Sequence, residues 1–74
     1  MTRYTHYKYT HYKRRPEKYW LFDEIWVDFS DPVKTVDFAG GRKEFTEYPA
    51  YNVFDHFIGF MSQEDIINNF IQVV

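Results

Sequence analysis

Large apolar residues are sparse before position 19 and dense after it, and no aliphatic residue stands between Met1 and Leu21. From Trp20 to Phe29 the chain alternates: Leu21, Ile25, Val27 and Phe29 share one face, and Trp20, Phe22, Glu24, Trp26 and Asp28 the other. Two-residue periodicity of this kind predicts a strand with one aliphatic and one aromatic-acidic face, Asp23 being the exception. Ser30-Asp31-Pro32 reads as a turn, and Val33–Phe38 as a second strand with Val36 and Phe38 as core candidates. Gly40-Gly41 is the strongest turn signal, because a tight hairpin needs positive φ and glycine adopts it without steric cost. Arg42–Tyr48 then returns as a third strand, stopped by Pro49.

Beyond Pro49 the period changes. Asn52 with Asp55 resembles a capping box, and Val53, Phe54, Phe57, Ile58, Phe60 and Met61 form one apolar arc on a helical projection. Gly59 lies outside that arc and costs a helix roughly 1 kcal/mol against Ala, so this helix is expected to be short or kinked. Ser62 with Asp65 reads as a second cap, followed by Ile66, Ile67, Phe70, Ile71 and Val74 at helical spacing. Val73 breaks the phase, so Phe70–Val74 is equally readable as a strand. The expectation is an α+β fold: a small antiparallel three-stranded sheet packed by one or two short C-terminal helices, preceded by a disordered basic N-terminal arm.

Charge sharpens the boundary between arm and domain. Residues 1–18 carry six Lys/Arg against one Glu, and residues 19–74 carry ten Asp/Glu against three Lys/Arg. The arm also holds a tandem repeat, Tyr4-Thr5-His6-Tyr7-Lys8 followed by Tyr9-Thr10-His11-Tyr12-Lys13. A domain of 56 residues buries only about 60% of the surface its unfolded chain exposes, so it is marginal without help. There is no cysteine to supply a disulfide. Eight Phe, seven Tyr and two Trp carry more apolar area than so small a body encloses easily, which favours a partner or a homodimer. With no signal-peptide core and no apolar run of about 20 residues, a cytoplasmic protein is expected, with no membrane partner.

Catalytic chemistry finds little footing. Asp55-His56 suggests an acid/base pair, but adjacent helical residues point about 100° apart and no Ser or Cys partner is evident. His6 and His11 lack an acidic co-ligand for a metal, and Gly40-Gly41 joins two strands where a phosphate loop would lead into a helix. No catalytic residue, metal or cofactor is expected. Two binding surfaces remain. In the arm, Tyr4, Tyr7, Tyr9 and Tyr12 interleave with Lys8, Lys13, Arg14 and Arg15, a combination suited to stacking on bases and neutralising phosphates of single strands. In the body, carboxylates at Glu24, Asp28, Glu47 and Asp55 accompany Trp26, Tyr48, His56, Phe57 and Phe60. Spaced carboxylates can stand in for phosphates, and an apolar pocket can take a side chain that an enzyme would insert into the base stack.

From Gly41 onward the chain resembles the small uracil-DNA glycosylase inhibitors of Bacillus podophages, which are dimeric DNA mimics. The resemblance runs through Gly41-Arg42, Phe45-Thr46-Glu47-Tyr48, Asp55-His56-Phe57-Ile58-Gly59-Phe60 and Glu64-Asp65-Ile66-Ile67. In that family, helix aromatics form an apolar pocket for the enzyme's intercalating side chain, and nearby carboxylates meet its DNA groove. The resemblance implies that Asp55 and Phe60 carry this role, with Phe60 where the family has Tyr. His56-Phe57 stand where it has Phe-Glu, and Glu47 or Asp55 supplies the carboxylate. The expected function is therefore a phage-type inhibitor that acts in the host cytoplasm and blocks, by DNA mimicry, the DNA-binding face of a host nucleic-acid enzyme, uracil-DNA glycosylase above all. The alternatives are an inhibitor of a defence nuclease such as a CRISPR effector, and a single-strand-binding accessory protein that uses the arm.

Overall fold

The structure, a computed structural model, describes residues 8–74. Among these the elements are β1 (Thr10–Arg14), β2 (Glu24–Val27), β3 (Val33–Asp37), β4 (Lys43–Tyr51), β5 (Phe57–Ser62), α1 (Gln63–Asn69) and β6 (Phe70–Gln72). The α+β class stands, with six antiparallel strands where periodicity predicts three.

β4 organises the sheet. Lys43–Glu47 pairs with β3, Glu47–Tyr51 pairs with β5, and Ala50 and Tyr51 also face Val27 and Trp26 of β2. A residue has only two strand neighbours, so β5 takes one edge of β4 while β2 and β3 share the other. From β2 the ladder passes to β1 and then to β6. The end strands β5 and β6 are joined directly through α1. Five flat rows would hold these ends about 19 Å apart at ~4.8 Å per row, whereas a seven-residue helix spans about 10 Å. The sheet therefore curls, and α1 closes its open side. Ile25, Val27, Ala50, Met61, Ile66 and Phe70 are buried inside the curl, with Tyr12, Trp20, Phe22, Phe29, Tyr48 and Ile58 packed around them.

Several expectations change. The arm was expected to be disordered through residue 18, but Thr10–Arg14 is an interior strand with a neighbour on each edge; residues 1–7 lie outside the described residues. β1 escapes an aliphatic-pattern reading because its inward residues are Thr10 and Tyr12. The Trp20–Phe29 strand shrinks to Glu24–Val27, and Leu21, assigned to the core face, is 82% exposed. Trp20 and Phe22, assigned to the opposite face, pack on the core instead, since residues 19–22 are not paired as a strand. Val36 and Phe38 are exposed because the outer part of the β3–β4 hairpin has no layer against it. Its turn is as expected, with Gly40 at φ 79° and Gly41 at φ 110°. Pro49 does not end β4; its carbonyl accepts the Asp28 N–H at 3.0 Å.

The larger correction concerns residues 53–61, where a helix was expected. Asn52 does cap backbone N–H groups, but those of Phe54 and His56 within a turn closed by Asn52 N–H to the His56 carbonyl. Phe57 onward is strand, with its backbone paired to β4. Pairing along a nine-residue neighbour satisfies the backbone of a Phe/Ile-rich segment that glycine weakens as a helix. The second cap is as expected: Ser62 Oγ accepts the Asp65 N–H at 3.2 Å. The helix stops at Asn69, and Phe70–Gln72 takes the strand option. Among the described residues no helix is long and apolar enough to cross a membrane.

Candidate functional site: an aromatic outer face and an apolar groove

Side chains alternate across a strand, so burial of Ile25, Val27 and Ala50 sends their neighbours to the opposite face. The registers His11↔Trp26, Trp26↔Tyr51 and Tyr51↔Phe57 line these neighbours up across β1, β2, β4 and β5. The result is a row of rings on the outer face. His11 stacks on Trp26 with centroids 4.2 Å apart and planes 4° from parallel. Tyr9 stacks on Tyr51 at 4.8 Å, and Phe57 meets Tyr51 edge-on at 6.0 Å. Phe60 continues the row at 5.0 Å from Phe57.

Phe57 and Phe60 are three positions apart, which in a regular strand would put them on opposite faces. A β-bulge reconciles them. Tyr51 pairs with Phe57 and Ala50 with Gly59, which leaves Ile58 as the extra residue. Gly59 sits at φ 143°, a conformation L residues rarely adopt, although a Cβ there would meet nothing within 4 Å. The glycine is thus required by backbone angle, not by crowding.

Carboxylates accompany the rings. His11 Nε2 lies 2.8 Å from Glu24 Oε1. Asp28 Oδ1 accepts the Ser30 N–H and hydroxyl, and Asp55 occupies the 52–56 turn at φ 64°. The Tyr9 phenol is pushed up to about 12, first by desolvation and then by Tyr51, Asp55 and Asp28. Burial likewise raises that of Tyr12.

Beside Phe60 the outer face meets an apolar groove of about 410 Å³, lined by Tyr19–Phe22 on one side and Ile58–Met61 on the other. The rim is open to water: Tyr19 is 86% and Phe60 48% exposed. Arg14 fastens the Tyr19–Phe22 lip at both ends. Its Nε and Nη2 donate to Asp23 Oδ1 at 3.1 and 2.9 Å, and its Nη1 donates to the Lys18 carbonyl at 2.6 Å. Arg15 donates to the Ile67 carbonyl from Nε and Nη2, tying the same connection to α1.

The fold brings Trp26, Phe57 and Phe60 into one row, with Glu24 and Asp28 on the same face. Glu47 sits on that face further along β4, 3.5 Å from the Thr35 hydroxyl. Asp55 and His56 lie in the adjoining turn, not on a helix. Tyr48 is a correction: it faces inward, 4.8 Å from Phe29, and serves the core. The arm set divides. Tyr4 and Tyr7 lie outside the described residues, Lys8 and Lys13 are exposed, and Tyr9 joins the outer row. Tyr12 packs against Phe29 on the core side, and Arg14 and Arg15 act as fasteners. Sequence reasoning missed His11, Tyr19, Leu21 and Tyr51. Only Tyr51 had a signal, since the alternation Glu47, Pro49, Tyr51 continues past the proline. Comparison of the chain with protein-family models, curated proteins and solved structures finds no match.

Proposed function

We propose that this protein is a binding protein without catalytic activity, an inhibitor that occupies the nucleic-acid-binding face of an enzyme in the host cytoplasm. The observation that carries this reading is the groove between Tyr19–Phe22 and β5. Its rim residues Tyr19, Leu21 and Phe60 stay open to water in a chain with few buried residues to spare. An apolar recess with an exposed apolar rim is stabilised by receiving a partner's apolar side chain. Glu24, Asp28, Glu47 and Asp55 on or beside the neighbouring face suit the basic groups of a DNA-binding surface. Enzymes that kink DNA carry such an apolar wedge beside basic groups, which makes that class the fitting partner.

The sequence resemblance makes uracil-DNA glycosylase the first target, although Asp55–Phe60 here is a turn and strand where a helix was expected. The arm-based nucleic-acid alternative draws less support, because Tyr12, Arg14 and Arg15 are engaged within the fold. The expected homodimer remains part of the proposal, with exposed Val36 and Phe38 of the hairpin as its apolar surface.

A uracil-excision assay with purified protein tests the reading. Wild-type protein should inhibit, Phe60→Asp should weaken inhibition by roughly tenfold or more, and Phe38→Asp should leave inhibition intact. Undiminished excision at large molar excess would remove this target. Loss of inhibition with Phe38→Asp alone would show that the wrong surface was chosen.

A further inference from the structure

The strand that forms one wall of the apolar groove has a free backbone edge. The Asp28 N–H donates to the Pro49 carbonyl at 3.0 Å, so Pro49 presents its backbone to β2. Along a strand the backbone groups alternate between the two edges, so Tyr48 and Ala50 present theirs to β5, opposite Met61 and Gly59. Phe60 lies between these two and opposite Pro49, so its N–H and carbonyl point away from β4 and into the groove. Among the described residues no backbone group bonds to either. The Tyr19–Phe22 lip stands across the groove from this edge and does not pair with it. A donor and an acceptor on one residue, open at the edge of a strand, are what an added antiparallel strand pairs with.

We propose that the groove receives an extended segment of the target protein, which adds as a strand to β5 and makes two backbone hydrogen bonds with Phe60. Opposite residues in an antiparallel pair share a face. The residue opposite Phe60 therefore places its side chain on the outer face, beside that ring. Its two neighbours point inward, toward Trp20, Phe22, Ile58 and Met61, and must be apolar. The next residue on each side returns to the outer face, where carboxylates stand at both ends of β5. Asp55 lies in the turn before Phe57, and Glu47, Glu64 and Asp65 gather around Ser62. The fitting segment thus has an apolar centre with Lys or Arg on both sides. That it belongs to an inhibited enzyme rests on the function proposed above, whereas the strand site rests on the Phe60 edge.

The peptide acetyl-Lys-Val-Leu-Val-Lys-amide, added to the full chain and followed by NMR, tests the strand site without any enzyme. In the free protein the Phe60 N–H should exchange with solvent faster than those of Gly59 and Met61, which face β4. At a peptide concentration about ten times its Kd, exchange at Phe60 should slow by about tenfold. N-methylation of the central leucine removes the donor to the Phe60 carbonyl and should weaken binding by about tenfold. N-methylation of the valine after it blocks an N–H that faces away from β5, and should weaken binding by less than about twofold. A Phe60 N–H already protected in the free chain overturns the proposal. So does exchange that does not slow with peptide, and so do equal losses from the two methylations. Peptide binding with this pattern, but without inhibition of uracil-DNA glycosylase, would remove that target and support the strand site.

Discussion

The inner and outer faces of this sheet come from the same strands and from similar residue types, yet they are finished differently. In β2, Ile25 and Val27 turn inward and Glu24 and Trp26 outward; in β1, Tyr12 turns inward and His11 outward. Inside, the curl and α1 remove Ile25, Val27, Ile66 and Phe70 from water completely or nearly so. Outside, the described rings cover one another in pairs, and Phe57 and Phe60 remain about half exposed. Full burial of such side chains contributes about 1.5–3 kcal/mol each, whereas a ring pair adds about 0.5–1.5 kcal/mol beyond its area. Stability is therefore concentrated on one face, which leaves the other available for contact with a partner.

Substitutions on the two faces should separate accordingly. The largest effect is expected at the centre of the inner face, where Phe70→Ala leaves a cavity beneath α1 and should cost about 3–5 kcal/mol in denaturant unfolding. A loss comparable to that of an exposed ring would mean that the curl is not the stabilising core. A smaller effect is expected at the element that closes the curl. Ser62→Ala removes the cap on α1 and should cost about 1 kcal/mol, visible as a lowered unfolding midpoint.

The smallest effect belongs to the outer face and appears only at high pH. The Tyr9 proton leaves near pH 10 in the unfolded chain and near pH 12 in the folded one, because burial and its neighbours disfavour the phenolate. The contribution is thus fully present below pH 10 and lost as pH rises through 12. Wild-type protein should lose stability relative to Tyr9→Phe across that window. Parallel pH profiles would show that Tyr9 is not desolvated on this face.

Where local chemistry decides the outcome, the sequence was legible. Gly40-Gly41 makes a hairpin because both positions need positive φ, and Ser62 starts a helix because its hydroxyl meets the Asp65 N–H. The same local logic misled at Asn52, whose side chain caps a turn as readily as a helix. It failed at Phe57–Met61 because helical spacing of apolar residues is also satisfied by a strand with a bulge, and only pairing with β4 distinguishes the two. Of the candidate site, Trp26, Phe57 and Phe60 were found from their type. His11 and Tyr51 were not, because their importance comes from cross-strand register. Arg14 and Arg15 looked like phosphate-binding groups, since a run of cations carries no sign that its charges will be spent on carbonyls and on Asp23.

The sequence by itself determined the α+β class, the Gly40-Gly41 hairpin, the cap of α1 and the surplus of aromatic residues, all of which depend on neighbours within a few positions. Only the tertiary structure decided that Thr10–Arg14 is an interior strand, that Tyr48 turns inward, and that Phe57 and Phe60 share a face. Each of these depends on which distant strand supplies the backbone partners. A hydrogen-bond ladder fixes side-chain direction residue by residue, and no local pattern records which ladder a segment will join.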